Sequence, residues 1–442
     1  MHTLKQLRAG ELAGIQRLDL SAGLTEFPTE IFDLADSLEI LNLSGNALSS
    51  LPDDLGRLYK LRIIFCSDNQ FVTLPEVLGR CTQLSMIGFK ANQIRMVPAA
   101  ALPPLLRWLI LTDNQLTALP EELGACTHLQ KLMLAGNQLT YLPASIAACT
   151  NLELLRIAAN RFEALPEWLL SLPRLSWLAY AGNPFCEEIE EAVVAQHPIA
   201  SINWRTLTLR QKLGEGASGV IYQAQWQPDA ALAKEVAVKL FKGAVTSDGL
   251  PHSEMAACIS AGSHPNLIAV EGKITDHPTN AEGLVLDLID PSFRILAGPP
   301  SFASCTRDVY DDGTVLGLDA VLRLAHGIAS AAAHLHASGI LHGDLYAHNI
   351  LTTSAGSCLL GDFGAACFFD SSSTMSTQLQ RLEARAFACL LEELLDHCEP
   401  TASAAFHALS ALQRQCAQPE VAARPLFAEI EQVLQKLVLG RR

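Results

Sequence analysis

Positive charge is scarce in this chain. Thirty-one Lys and Arg face 46 Asp and Glu, giving a formal charge of −15 and a pI near 5.3. That balance argues against nucleic acid or an anionic membrane as the main partner. Long apolar runs are absent too: none spans a bilayer, and no early apolar region follows Met1-His2-Thr3-Leu4-Lys5. Neither a membrane span nor a secretory signal is therefore expected. No C-x-x-C pair occurs among the twelve cysteines, so neither a metal site nor a disulfide framework is expected. Cys81, Cys126 and Cys149 instead recur at one repeat position, where a small apolar side chain packs. A reducing, cytoplasmic compartment follows as the expectation. A Gly/Ser-rich linker is also missing, although 442 residues suffice for two or three domains.

What is present first is a repeat. Asn46, Asn69, Asn92, Asn114, Asn137, Asn160 and Asn183 are spaced by 23, 23, 22, 23, 23 and 23 residues. Five and three places before each stand apolar residues, from Leu41/Leu43 through Leu109/Leu111 to Leu178/Tyr180. Most units continue into a Leu-Pro or similar step, as at Leu51-Pro52, Val97-Pro98 and Leu165-Pro166, and a weaker unit precedes them with Gly23 at the Asn position. Alternation makes a short strand with one buried face, the inward Asn can satisfy backbone groups at the turn, and proline ends the strand. One unit cannot bury its leucines alone, so units must stack. The pattern resembles the leucine-rich repeat family in its short Leu-Pro form, whose expected function is protein binding. Gly182 to Val194 reads as a capping helix closing the array.

The second half carries chemistry. His342-Gly343-Asp344-Leu345-Tyr346-Ala347-His348-Asn349 is followed by Asp362-Phe363-Gly364. An Asp, an Asn five residues on and a second Asp in D-F-G suit phosphoryl transfer from ATP: one carboxylate orients the hydroxyl, the other two groups hold Mg²⁺. Ile340-Leu341 and Ile350-Leu351 predict small strands on either side of that loop. Upstream, Gly214, Gly216 and Gly219 sit between two strand-like runs, which excludes the dinucleotide-binding reading, since that needs a helix. Glu235 to Lys239 predicts a strand ending on a lysine, and Glu254, in a helix-compatible stretch from Ser253 to Ile259, is its natural ion-pair partner. An apolar strand from Gly283 to Leu288 should lead into an adenine-binding hinge, and Leu322 to His336 predicts a long amphipathic helix. His334, His336 and His342 could be grouped as metal ligands, but phosphoryl transfer needs no such site.

Together these residues resemble the eukaryotic-type protein kinase family over roughly residues 207–437, closed by Arg424-Pro425-Leu426-Phe427. The resemblance implies Asp344 as the catalytic Asp, Lys239 and Glu254 as the ion pair, and Asn349 and Asp362 as ligands of Mg²⁺ (or Mn²⁺). It implies Gly214, Gly216 and Gly219 over the phosphates of ATP, and Ile221, Ala237 and Leu351 around the adenine. The expected fold is an α/β leucine-rich repeat solenoid over 1–200, with its cap, followed by a bilobal α+β kinase-like domain over 207–437. The pairing looks like that of bacterial cytosolic proteins, and the expected activity is transfer to a protein hydroxyl of the Ser/Thr class. The H-G-D-x-x-x-x-N pattern also occurs in kinase-like phosphotransferases acting on small molecules, and a pseudokinase scaffold is a further alternative.

Four departures from the family pattern stand out. Gly343 replaces an arginine that binds an activation-loop phosphate, Tyr346 replaces a lysine, A-P-E is missing, and Glu383 stands for an Asp at a helix start. The hydroxyl cluster from Ser371 to Thr377 lies in the activation segment and is expected to be autophosphorylated without being an obligatory switch. On the repeats, outward strand positions read as an apolar patch that includes Phe65, Trp108, Ile110, Met133 and Trp177. A protein partner anchored on the two tryptophans is expected there, with docking of the chain's own kinase domain as the second choice.

Overall fold

A computed structural model describes residues 2–196, 199–216, 218–228, 232–242, 245–246 and 248–440. Two compact units divide at Arg174/Leu175, ahead of the boundary expected near residue 200.

The first unit opens with α1 (Leu4–Arg8) and continues as a stack of three-residue strands connected through short 3₁₀ helices: β1 (Arg17–Asp19), β2 (Ile40–Asn42), β3 (Ile63–Phe65), β4 (Met86–Gly88), β5 (Trp108–Ile110), β6 (Lys131–Met133) and β7 (Leu154–Arg156). Each pairs in parallel and in register with the next, so that Leu41, Ile64, Ile87, Leu109, Leu132 and Leu155 form one buried row. The asparagine ladder is explicit. Asn92 donates to the carbonyls of Cys66 (3.0 Å) and Phe89 (3.2 Å), while its side-chain oxygen accepts from Phe71 N–H (3.0 Å). Asn137 and Asn160 repeat the pattern two and three units on. Each inward Asn thus satisfies turn groups that would otherwise be buried without partners. Cys81, Cys126 and Cys149 are buried at their shared position, and burial pushes the thiols of Cys81 and Cys149 up to about 11.

The second unit begins with β8 (Trp177–Ala179) and α2 (Pro184–Gln196), two elements that the repeat pattern assigns to the array. Next come β9 (Ser201–Asn203), β10 (Leu207–Glu215), β11 (Gly219–Trp226), β12 (Lys234–Phe241), α3 (Pro251–Ser260), β13 (Val270–Thr275) and β14 (Gly283–Asp287). Their strands form one six-stranded sheet in the order β10-β11-β12-β14-β13-β9, with Val236, Val238, Ala224 and Val285 in its core. β9 precedes residue 207, yet it pairs with β13 as an edge strand of this lobe.

The other lobe is helical. β15 (Arg294–Ile295) leads to α4 (Leu318–Ala337), β16 (Ile340–Leu341), β17 (Ile350–Thr352), β18 (Cys358–Leu360), β19 (Cys367–Phe368), α5 (Ser376–Asp396), α6 (Ala404–Cys416) and α7 (Phe427–Leu439). The flanking strands expected at 340–341 and 350–351 are present: β16 pairs with β19, and β17 lies between β15 and β18. Arg424 is buried and donates to the carbonyls of Gln418 (2.7 Å) and Arg381 (3.3 Å), while Phe427 packs edge-on against Phe387 and His336. The closing R-P-x-F run therefore ties α7 to α4 and α5. A repeat solenoid followed by a bilobal kinase-like fold is what the sequence led us to expect.

One helix boundary differs from expectation. α5 starts at Ser376 rather than near Glu383, because Leu379, Leu382 and Ala386 already lie on its buried face. The activation segment is shorter than its sequence suggests, and Ser376 and Thr377 belong to the helix.

Candidate active site

The glycine loop joins β10 to β11, and Gly216 N–H donates to Gly219 C=O (2.9 Å). A Cβ at Gly219 would stand 2.6 Å from the Leu240 carbonyl, whereas at Gly214 or Gly216 it would meet nothing within 4 Å. Ala217 lies outside the described residues. Beneath the loop is a cavity lined by Gly216, Ser218, Gly219, Ile221, Lys239, Asp362 and Gly364, together with Thr246 and Asp248. Thr246 and Asp248 carry no sequence signal. A turn in which Thr246 Oγ1 accepts from Asp248 N–H (3.2 Å) and Gly249 N–H (3.1 Å) orders that stretch. Ala237 faces Gln223 on β11 and Leu286 on β14, and Leu351 lies on β17; neither lines the cavity.

Lys239, on β12, forms an ion pair with Glu254 on α3. Both side chains are largely buried. Burial opposes the ammonium, but the carboxylates of Glu254 and Asp362 outweigh it and hold Lys239 above its usual value. Burial, helped by Asp362, raises the Glu254 carboxyl above its usual value, and Lys239 works against that rise. Asp362 has a left-handed backbone (φ 55°), rare outside glycine, and its carboxylate accepts from Gly364 N–H (3.2 Å). That local bond turns D-F-G so that Asp362 reaches the cavity shared with Lys239.

The catalytic loop is held from below. Asn349 donates to the carbonyl of Asp344 (2.9 Å) and to its carboxylate (2.8 Å), which aligns the two side chains. His342 is fully buried; one ring nitrogen is 2.9 Å from Gly361 C=O, and the other accepts from Asp344 N–H (3.3 Å). His334 bonds Ala261 C=O (2.7 Å), and His336 donates to Glu383 (2.6 Å). All three histidines tie backbone or helices together. Glu383 also accepts from Gly343 N–H (2.7 Å) and His342 N–H (3.3 Å). Burial alone would raise this carboxyl, but His336, His342 and the Gly343 N–H hold it below the usual glutamate value. Glu383 thus anchors the loop as a buried carboxylate, so the departure noted at this position leaves the anchor intact.

Another departure has a steric cause. Gly343 has φ 71°, and a Cβ there would lie 2.3 Å from the Ala365 carbonyl and 2.9 Å from that of Leu178. No arginine fits. Tyr346 does not take the missing lysine's place toward phosphate: it is buried, with its ring stacked on Trp177 at 4.1 Å. Trp177, expected to be an outward anchor for a partner, is only 1% exposed. Its indole N–H donates to Leu345 C=O (3.1 Å). The expectation fails there because β8 packs on the catalytic loop within the second unit.

Sequence reasoning missed Asp308. From the stretch between β15 and α4, its carboxylate accepts from His348 N–H (2.9 Å) and bonds the imidazole (2.7 Å). Burial works against protonation of His348, but Asp308, ahead of Asp344 and Asp362, holds it above the usual histidine value. No spacing rule links residues 308 and 348, so only folding could reveal the pair.

A two-lobed fold with a lysine–glutamate pair between strand and helix, and an Asp–Asn–Asp cluster below, defines the kinase class. Residues 207–397 match the family of protein tyrosine and serine/threonine kinases, and residues 37–58 and 104–162 match leucine-rich repeats. The chain is 27% identical to the serine/threonine-protein kinase mos of Gallus gallus, over 38% of this chain and 49% of that protein. It is 24% identical to mos of Xenopus laevis, over 42% of this chain and 48% of that protein. It is 30% identical to the serine/threonine-protein kinase PkaA of Streptomyces coelicolor, over 37% and 30%. The chain spans less than half the length of each of these relatives. It is a leucine-rich repeat array joined to a Ser/Thr-type protein kinase domain.

Proposed function

We propose that this protein transfers the γ-phosphoryl group of ATP to a hydroxyl of a protein substrate. The observation that carries the reading is one constellation. The Lys239–Glu254 ion pair, Asp362 in the same cavity as Lys239, and Asn349 bonded to Asp344 lie in one bilobal unit. Lys239 would bind the α- and β-phosphates, and Glu254 would hold it there. Gly214, Gly216 and Gly219 would close over the phosphates, since open space above Gly214 and Gly216 leaves room for a ligand. Ile221, on the cavity wall, would contact the adenine, with Ala237 on β12 and Leu351 on β17, outside that lining, completing the contact. Asp344 would orient the attacking hydroxyl and accept its proton as the oxygen–phosphorus bond forms and ADP departs.

The oxygen donors of Asn349 and Asp362 suit a hard divalent cation. Asn349 spends its amide hydrogens on Asp344, which leaves its amide oxygen for a ligand. Mg²⁺ or Mn²⁺, when bound, supplies neutralisation of phosphate charge. Asp344→Asn should lower turnover by orders of magnitude while nucleotide still binds, and Asp362→Ala should weaken Mg²⁺-dependent nucleotide binding. Absent turnover with protein acceptors, together with unchanged nucleotide affinity in Asp362→Ala, would refute the proposal.

One observation favours a second reading. Only residues 365–375 separate D-F-G from α5, which leaves a short platform for a peptide. A small-molecule alcohol is then the alternative acceptor. A panel of radiolabelled assays with casein-type proteins and aminoglycoside-type alcohols separates the two.

The repeats would recruit the protein partner. On their strands Phe65, Trp108, Ile110 and Met133 are half-buried, with Trp108 N–H on Met133 sulfur (3.3 Å) and Lys131 over the indole (4.5 Å). Trp108→Asp should reduce capture of that partner and leave basal turnover in place. No helix among the described residues is long and apolar enough to cross a membrane. A cytoplasmic location suits twelve cysteines that include three packing thiols.

A further inference from the structure

The stretch from Trp177 to Gln196 belongs to the array by its repeat pattern, yet its strand and helix bond to elements of the catalytic unit that lie far away in sequence. At one end, Trp177 holds Leu345 and Tyr346 of the catalytic loop. The Tyr180 N–H donates to Cys367 sulfur (3.0 Å), and its hydroxyl donates to Phe368 C=O (3.1 Å), just after D-F-G. At the other end, α2 packs on α3. There the Glu190 carboxylate, only 8% exposed, accepts from Gly182 N–H (3.1 Å) and from the Ser253 hydroxyl (3.1 Å). Ser253 is 2% exposed and directly precedes Glu254, the partner of Lys239.

A buried carboxylate bridging two elements is costly to form unless its partners are fixed. Its place at the first turn of α3 is also the end of a helix that favours negative charge. One carboxylate oxygen grips the turn that opens α2, and the other grips the helix whose next residue completes the ion pair. In kinases the lysine–glutamate pair must be in place for transfer, and helix position controls it. The other common device, an arginine in the catalytic loop that reads an activation-loop phosphate, cannot be built here, because the Leu178 and Ala365 carbonyls fill the space beside Gly343.

We infer that Trp177–Gln196 is a positioning element of the phosphotransfer site, and that Glu190 holds α3 through Ser253 so that Glu254 stays on Lys239. The inference rests on the proposed function, and deepens it by assigning the control of α3 to the chain's own repeat terminus. Glu190 is a positioning residue, since it acts through α3.

The test uses the full chain with Glu190→Ala, Ser253→Ala and the conservative pair Glu190→Gln and Ser253→Thr. Removing one charge-assisted hydrogen bond should lower kcat about tenfold. KM for ATP should change much less, and amide exchange across residues 251–260 should accelerate while that of α4 stays the same. Glu190→Gln and Ser253→Thr, which keep a bond between the two side chains, should recover most of the loss. An unchanged kcat and unchanged exchange in both alanine variants would overturn the inference. So would a loss of kcat equal in the alanine and conservative variants with exchange raised throughout the unit, which is general destabilisation. If the wild type transfers no phosphate, the proposed function fails. Exchange across 251–260 then decides the positioning role alone: faster in Glu190→Ala supports it, and unchanged refutes it.

Discussion

Replacing Gly343 with arginine restores the residue that regulated kinases carry, and the structure predicts that it will break the protein. With φ at 71°, any L-residue there enters the left-handed region, at a cost of roughly 1–2 kcal/mol. The added Cβ would lie 2.3 Å from the Ala365 carbonyl and 2.9 Å from that of Leu178, neither of which is a flexible side chain. Relieving that overlap means shifting β8 or the segment after D-F-G, which adds about 1–3 kcal/mol. The sum, about 2–5 kcal/mol, is a large share of the 5–15 kcal/mol that ordinarily holds a domain together. Gly343→Ala should lower the urea midpoint almost as much as Gly343→Arg, because the Cβ is the offending atom. Gly214→Ala, where nothing lies within 4 Å, should leave the midpoint near wild type. The assay is equilibrium unfolding followed by tryptophan fluorescence, with phosphate transfer measured in parallel. A Gly343→Arg protein that unfolds at the wild-type midpoint and turns over normally would refute the reasoning. The refutation would be complete if phosphorylation of the 371–374 hydroxyls then stimulated it.

Three other outcomes are expected. Glu383→Ala leaves the His342 and Gly343 N–H groups and His336 without their acceptor, and should cost about 3–5 kcal/mol in urea unfolding. Because the folded carboxyl titrates below its usual 4.5, its contribution is present above that pH and is lost as pH falls through the folded value, a loss the variant should lack. Glu393 behaves oppositely. Burial, then Asp308, pushes it up to about 8, so the folded state keeps a proton that the unfolded chain gives up above about 4.5. Stability should therefore fall as pH rises through that window, and unfolding midpoints of Glu393→Gln should show a shallower fall. Last, removing the hydroxyls of Ser371, Ser372, Ser373, Thr374, Ser376 and Thr377 should leave most of the turnover, since Gly343 offers no guanidinium to read a phosphate; loss restored by acidic substitutions would contradict this.

What the chain alone determined is whatever periodicity and short spacings encode. Asparagines 22 or 23 residues apart specified the stacked strands, because each unit can satisfy its buried turn only through its neighbour. The D-x-x-x-x-N and D-F-G spacings placed Asp344 and Asn349 within hydrogen-bond reach, because five residues on one loop cannot separate them far. The Lys239–Glu254 pair was legible as well, although only through the family pattern, since nothing local links a strand to a helix fifteen residues on. Tertiary structure decided the rest. Trp177 looked like an exposed anchor because strand alternation gives a side chain's face but not what covers that face. Asp308 on His348 and Glu190 on Ser253 join residues 40 and 63 apart, with no periodicity to announce them. The glycine at 343 was visible as a departure from the start. Its cause was not, because a backbone carbonyl 165 positions upstream, at Leu178, takes the space a side chain would need.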